Sequence, residues 1–150
     1  MFFDHDFKRF PELSNTQLEV LRFVSPHVQY EEDFDAVVVK VHDADTVTLR
    51  SRDRDFEFPL RLANIDAPEL NNGGKEAGDY LRSIVEGKSV RILIDRRNRV
   101  GKYGRLIGEV LYEGRVLNDD LVRLGFASVF GKKLETSVPK FDRYIKEVAF

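Results

Sequence analysis

Three short segments gather side chains that could carry out chemistry on a phosphate. Residues 43–46 read Asp-Ala-Asp-Thr, residues 61–69 read Arg-Leu-Ala-Asn-Ile-Asp-Ala-Pro-Glu, and residues 102–105 read Lys-Tyr-Gly-Arg. Their carboxylates bind hard divalent cations through oxygen, and their arginines grip a phosphate with a planar, bidentate fork. A phosphodiester attacked by water needs both, since negative charge grows on its oxygens. The set predicts a metal-dependent phosphodiesterase acting on nucleic acid.

The apolar runs on either side place the first of these segments in a turn. Residues 36–41 and 46–50 are rich in β-branched side chains, so they are predicted to be paired strands joined by a tight turn at 42–45. Aspartate is common in turns because its side-chain oxygen bonds the backbone two residues on. The turn alone would therefore explain a lone Asp-x-Asp.

The second segment favours a functional interpretation of that turn. Residues 56–62 alternate as a strand does, which predicts that Arg61 shares a face with Glu57 and Pro59. The two carboxylates of the segment then follow on a loop. A loop after a rigid strand is a common position for catalytic groups.

Further elements follow from periodicity and turn signals. Residues 75–85 predict a helix, and residues 90–94 and 106–112 predict strands. Pro139 is expected to open a last helix that runs toward Phe150, since proline suits the first helical turn.

The three segments, taken in order, resemble the staphylococcal (micrococcal) nuclease family, whose core reads Asp-Gly-Asp-Thr, then Arg-Leu-x-x-x-Asp-x-Pro-Glu, then Lys-Tyr-Gly-Arg. Each motif alone is a weak signal, but three at compatible spacing are a strong one. The match runs from about residue 34 to residue 132, and residues 117–127 resemble the family's second helix with the turn that ends it. The resemblance implies a mainly β, α+β fold: a five-stranded Greek-key barrel of the oligonucleotide-binding (OB) type with about three attached helices. This domain would span residues 34–150, after an N-terminal helical extension at 1–33.

The resemblance also implies a metal site. The cation would be Ca²⁺, with another divalent metal as the alternative. Asp45, Asp66 and the backbone carbonyl of Ala67 would be direct ligands, and Asp43 would hold metal-bound water from further out. A calcium site of few carboxylates and several waters leaves room for substrate oxygens.

A second group of matching residues would act on the substrate. The resemblance implies that Glu69 positions or deprotonates the attacking water. Arg61 and Arg105 would clamp the scissile phosphate and stabilise its transition state. Lys102 and Tyr103 would bind the neighbouring phosphate.

The chain departs from the family pattern in three places. Ala44 stands where the family often has glycine, which costs on the order of 1 kcal/mol if the turn needs a positive φ. Ala67 stands where threonine is common, but the implied metal contact there is a carbonyl. The tyrosines that pack on the substrate base in the family's type member are missing, and Phe130 is expected to pack in the core rather than stack on a base.

Charge is unevenly distributed along the 150 residues, which suit one domain with a sizeable core. The net charge is −2, lower than a strong nucleic-acid binder usually carries. Residues 1–35 hold eight acidic and three basic residues, so the remainder is net basic. The densest basic stretch consists of Arg91, Arg96, Arg97, Arg99, Lys102 and Arg105. It predicts a phosphate-facing strand and loop, although a solvated hairpin explains Arg96 and Arg97 equally well.

The acidic N-terminal extension carries a predicted amphipathic helix over residues 14–24, which Ser14 or Asn15 can cap and Pro26 ends. Its apolar face is expected to dock on the barrel away from the phosphate site, or against a second copy of the chain in a homo-oligomer. The chain has no cysteine, no apolar run of membrane-spanning length and no basic-then-apolar N-terminus. We therefore expect no membrane association and a cytoplasmic location.

Three functions remain open from the sequence. The leading one is a Ca²⁺-dependent endonuclease that hydrolyses DNA or RNA, preferably single-stranded. The second is a catalytically weak or inactive module that binds nucleic acid or protein, which the near-neutral charge favours. The third is a scaffolding domain whose N-terminal helix mediates dimerisation.

Overall fold

Apolar side chains at every second position build the strands of a barrel. The computed structural model describes residues 5–68 and 73–129. In chain order the strands are β1 (Phe34–Asp43), β2 (Thr46–Arg50), β3 (Phe58–Leu62), β4 (Ile65–Asp66), β5 (Ser89–Leu93), β6 (Leu106–Tyr112), β7 (Arg115–Val116) and β8 (Ser128–Val129). The helices in these residues are α1 (Asn15–Leu21), α2 (Gly74–Val85) and α3 (Leu117–Arg123).

Five of the strands close into a barrel. β1 pairs antiparallel with β2 and with β5, β2 pairs antiparallel with β3, and β5 pairs antiparallel with β6. A parallel pairing of β3 with β6, in which Leu60 lies opposite Leu106, closes the ring. The predicted five-stranded OB-type barrel with attached helices is confirmed.

The barrel interior is filled by the inward positions of its strands. In β3 the side chains of Phe58, Leu60 and Leu62 are buried, while the alternate Pro59 and Arg61 face outward. Burying one such large apolar side chain contributes about 1.5–3 kcal/mol. The core therefore fixes the direction in which Arg61 points.

β1 and β3 each begin two residues away from their predicted positions. β1 starts two residues earlier, at Phe34, whose ring stacks on that of Tyr30 with centroids 3.7 Å apart. β3 starts two residues later, so Glu57 lies outside the strand and only Pro59 shares its outward face with Arg61. The ring of Phe56 packs instead against His27, at 5.1 Å between centroids. The helix predicted from Pro139, and Phe130, lie outside the described residues.

Helix α1 forms where the sequence predicted it, and it begins with a capping box. The Ser14 hydroxyl accepts a hydrogen bond from the Gln17 N–H at 3.2 Å, and the Gln17 side-chain oxygen accepts one from the Ser14 N–H at 2.9 Å. The helix buries Leu18 and Leu21, together with Leu13. The predicted apolar face is thus covered only in part: the following 3₁₀ turn (Arg22–Val24) leaves Phe23 96% exposed.

A buried ion pair fastens the N-terminal segment (residues 5–33) to the barrel. The Glu12 carboxylate accepts hydrogen bonds from the Arg54 guanidinium at 2.5 and 2.6 Å. The same guanidinium lies 4.5 Å from the ring centres of Tyr30 and Phe58, and it donates to the Val28 carbonyl. The segment therefore docks on the barrel, but it also contacts Gly104 of the third motif, so the predicted docking away from the phosphate site is wrong in that part.

The longest helix of the described residues, α2, has 12 residues. Among the helices of the described residues, none is both long enough and apolar enough to cross a membrane.

Candidate active site

The turn between β1 and β2 presents two aspartates. Asp43 pairs with Thr46 at the end of the hairpin, and its carboxylate accepts a hydrogen bond from the Asp45 N–H at 3.0 Å. The Thr46 hydroxyl donates to the Asp45 carboxylate at 3.0 Å. Ala44 is completely buried and lies outside the left-handed region, so the strain considered for this position does not arise.

Arg61 lies between two carboxylates. Its Nη2 donates to Asp66 Oδ1 at 2.7 Å and is 3.5 Å from Asp45 Oδ2, while Nη1 donates to the Leu62 carbonyl at 2.7 Å. The pairing of Thr46 with Arg61 across β2 and β3 brings the arginine beside the aspartate turn. The guanidinium therefore joins carboxylates from two different elements.

Backbone hydrogen bonds hold the loop after β3 against the same turn. The Ala67 N–H donates to Asp45 Oδ2 at 3.0 Å, and the Leu62 N–H donates to the Asp45 carbonyl at 2.8 Å. Asp66 is fixed further by its pairing with Ser128 in the short β4–β8 sheet. The structure thus brings four of the predicted residues together around Arg61: Asp43, Asp45, Asp66 and Ala67.

The two aspartates of the turn differ in protonation behaviour. Burial and the neighbouring Asp45 carboxylate raise the pKa of Asp43. Burial alone would also raise the pKa of Asp45. Its hydrogen bonds with Asp43 and the Ala67 N–H, together with the positive charge of Arg61, outweigh burial and hold that pKa below its ordinary value. Asp45 is therefore the more persistent anion of the pair.

The loop from residue 99 to residue 107, here called the phosphate loop, contains the third motif, residues 102–105. Its 3₁₀ turn (Lys102–Gly104) leads into β6, where Leu106 pairs with Leu60 of β3. Arg105 therefore lies one residue before the point where β6 pairs with β3, the strand that carries Arg61. Arg105 is half-buried and Lys102 exposed, and neither forms an ion pair with any residue in the described part of the chain. The backbone of Tyr103 lies in the same turn.

A comparison with known protein families identifies the family of the chain. The family model described as staphylococcal nuclease homologue matches residues 59–148. The chain belongs to this nuclease-homologue family. Glu69, which the resemblance made the water-activating residue, lies outside the described residues.

Several curated proteins are similar to the chain over part of its length. An uncharacterized endonuclease of Escherichia coli is 37% identical over 100 residues, which are 65% of this chain and 62% of that protein. The staphylococcal-like nuclease CAN1 of Arabidopsis thaliana is 36% identical over 72 residues, 47% of this chain and 21% of its own. Endonuclease YhcR of Bacillus subtilis is 30% identical over 114 residues, 67% of this chain and 9% of its own. The chain thus spans about three fifths of the first of these relatives and far less of the others.

The donor atoms around Arg61 suit a hard divalent cation. In residues 5–68 and 73–129, no three His, Asp or Glu side chains group as a metal site. Asp45 and Asp66 nevertheless direct one oxygen each to the same guanidinium nitrogen, so the site already concentrates negative charge around a cation. Oxygen donors in small number fit calcium or magnesium, which complete their coordination with water or substrate.

The basic stretch does not face phosphate along its whole length. The acids of residues 31–35 neutralise two of its arginines, since Arg91 pairs with Asp35 at 3.0 Å and Arg96 with Glu32 at 2.7 Å. Arg99 is only 2% exposed. The prediction of a continuous phosphate-facing stretch is therefore wrong for these three arginines. For Arg96 the alternative of a solvated hairpin describes the structure better.

The N-terminal segment lies closer to the phosphate loop than the sequence predicted. A Cβ built on Gly104 would lie 3.0 Å from Phe10 Cβ and 3.2 Å from the Glu12 carbonyl oxygen. The segment therefore contacts the turn that carries Lys102. No sequence motif marks this contact, because it joins residues far apart in the chain.

Proposed function

We propose that the chain hydrolyses phosphodiester bonds of nucleic acid, with Ca²⁺ as its cation and single-stranded DNA or RNA as its preferred substrate. The observation that carries the proposal is the position of Arg61. The Arg61 guanidinium lies between the Asp45 and Asp66 carboxylates, and β3, which carries it, pairs with β6, the strand that directly follows Arg105. Anionic ligands for a metal and cationic forks for a phosphate thus occur side by side.

Each half of the site has a distinct task. Asp45, Asp66 and the Ala67 carbonyl would hold the cation, and Asp43 would orient water beside it. A bound divalent cation would supply positive charge to stabilise the phosphate oxygens in the transition state.

The two arginines would bind the scissile phosphate, Arg61 from strand β3 and Arg105 from the phosphate loop, one residue before β6. Arginine suits this task because its donors form a rigid fork that matches two phosphate oxygens. Lys102 and Tyr103 would bind the next phosphate along the strand. Glu69 would take the proton of the attacking water as a new P–O bond forms and the P–O bond to the leaving group breaks.

The test uses the full chain with single-stranded and duplex DNA and RNA, each with Ca²⁺, Mg²⁺ or a chelator. We expect cleavage with Ca²⁺, faster on single strands, and none with the chelator. Asp66→Ala should abolish both cleavage and calorimetrically measured Ca²⁺ binding while leaving the melting temperature near that of the parent. Asp79→Ala is the matched control, since Asp79 is an exposed carboxylate on α2 that pairs with Lys75 and Arg82.

Two outcomes would contradict the proposal. Full activity of Asp66→Ala would remove the metal assignment. Binding of nucleic acid without cleavage under any metal would show the chain to be a binding module instead. Glu69→Gln separates substrate binding from cleavage. Loss of a general base should lower kcat about 10²-fold with little change in substrate affinity.

A further inference from the structure

The phosphate loop is closed at its base by backbone hydrogen bonds. The Ile107 N–H donates to the Arg99 carbonyl at 2.8 Å, and the Gly101 N–H donates to the Arg105 carbonyl at 2.8 Å. Arg99 therefore stands at the start of the loop and is bonded directly across to its other end. Contacts that hold Arg99 in place therefore also hold the backbone of Arg105 in place.

The side chain of Arg99 is fixed by the N-terminal segment. Nε donates to the Tyr30 carbonyl at 2.7 Å, and Nη1 donates to the Leu13 carbonyl at 2.5 Å. Both acceptors are backbone atoms from outside the barrel, and the guanidinium is almost completely buried between them. A buried arginine held in this way leaves unsatisfied polar groups on both sides if it moves.

The tip of the phosphate loop meets the same segment. Gly104 has φ +66°, a conformation that favours glycine, and the Phe10 backbone occupies the space where a side chain would be. Phe10 Cα would lie 3.1 Å from a Cβ at this position. The loop is thus touched by the N-terminal segment at its base and at its tip.

The contacting part of the N-terminal segment is itself braced. The Gln29 side chain accepts a hydrogen bond from the Leu13 N–H and donates one to the Pro11 carbonyl, each at 2.7 Å. Glu12, between them, makes the buried ion pair with Arg54. The surface against the loop is therefore rigid enough to impose a position on it.

We propose that the N-terminal segment sets the position of the phosphate loop, and that Arg99 is the positioning residue through which it acts on Arg105 and Lys102. The inference rests on the proposed function, because it assigns the segment a part in phosphate binding. A group that stabilises a transition state must be held in its productive geometry by supporting contacts. Arg61 is held by the Leu62 carbonyl and by the Asp45 and Asp66 carboxylates, whereas the phosphate loop is contacted at its base and at its tip by the N-terminal segment.

Arg99→Met tests the inference, with Arg99→Lys as the conservative variant. Methionine replaces the unbranched aliphatic part of arginine but donates to neither carbonyl, while lysine keeps the charge and reaches fewer acceptors. We expect Arg99→Met to lower kcat/KM by up to about 10²-fold, the scale of a small misplacement of a reacting group. Arg99→Lys should recover part of the loss. Arg22→Gln is the control, since it removes an exposed ion pair with Glu31 in the same segment.

Combining Arg99→Met with Arg105→Lys distinguishes positioning from a loss of folded protein. If Arg99 acts through Arg105, the double variant loses less than the product of the two single losses. A smaller folded fraction would instead multiply the loss equally on either background. Strict multiplication, or an unchanged kcat/KM in Arg99→Met, would overturn the inference.

Amide hydrogen exchange supplies a readout that does not depend on activity. Arg99→Met should speed exchange at Gly101 and Ile107 while leaving the β1–β2 hairpin protected, and Arg22→Gln should change neither. Unchanged exchange at both amides would overturn the inference. If the parent protein cleaves no nucleic acid with any metal, the proposed function fails, and exchange alone then decides whether the segment orders the loop.

Discussion

Arg54 and Arg61 are both held by carboxylates, and they differ in how much water reaches them. The Arg54 side chain is 0% exposed and its partner Glu12 1%, whereas Arg61 is 16% exposed and its partner Asp66 45%. Within the described residues, Arg54 is paired with the Glu12 carboxylate through both of its oxygens, whereas Arg61 lies near the Asp45 and Asp66 carboxylates at unequal distances.

The difference separates a structural ion pair from one whose exposure suits the proposed function. The Glu12–Arg54 pair is complete in itself, so a new ligand could bind there only by breaking buried hydrogen bonds. Around Arg61 the negative charge exceeds what one guanidinium neutralises, and solvent reaches the groups. Such an arrangement can accept a further cation and can turn its arginine toward a phosphate.

The largest expected effect is on the buried pair. Arg54→Met should lower the free energy of unfolding by about 3–5 kcal/mol, because it leaves the Glu12 carboxylate buried without its partner. Urea denaturation of the two proteins measures this difference. The double variant Glu12→Leu with Arg54→Met should recover much of the loss, since it removes both charges. An Arg54→Met protein as stable as the parent would mean that the pair is not structural.

Matched lysine substitutions test the comparison directly. Arg61→Lys should lower the turnover rate by about 10²-fold or more, because the charge stays while the planar fork is lost. Its free energy of unfolding should change by less than about 1 kcal/mol, as for most partly exposed positions. Arg54→Lys should show the opposite order, with the larger effect on stability. Equal rate losses in both variants would remove the distinction between the two arginines.

The smallest expected effect is at the surface. Arg22 and Glu31 form a short ion pair, at 2.6 Å, but the arginine side chain is 48% exposed. Water and salt screen such a pair, so Arg22→Gln should melt at the temperature of the parent within experimental error. A clear fall in melting temperature would show that this part of the N-terminal segment is tied down more tightly than its exposure implies.

The sequence predicted the residues around Arg61 better than the contacts that support the barrel and its loops. Asp45, Arg61 and Asp66 could be grouped because their motifs resemble those of the nuclease family, and the pairing of Thr46 with Arg61 brings the first two side by side. The Glu12–Arg54 pair could not be predicted, since nothing in the pattern of isolated charges relates two residues 42 positions apart. Asn118 was also missed. Its buried amide accepts from the Val110 N–H and donates to the Ala63 carbonyl, both at 3.0 Å, and thereby ties α3 to the barrel.

The Arg99 side chain has a consequence for the order in which the molecule folds. Its hydrogen bond to the Leu13 carbonyl joins residues 86 positions apart in the sequence. Contacts of such separation carry a large loop-closure entropy, so they tend to form after local hairpins such as β1–β2. We expect the phosphate loop to gain amide protection in the last phase of refolding, which pulse-labelling hydrogen exchange would measure. During synthesis, the N-terminal segment would likewise contact the phosphate loop only after most of the barrel has emerged from the ribosome.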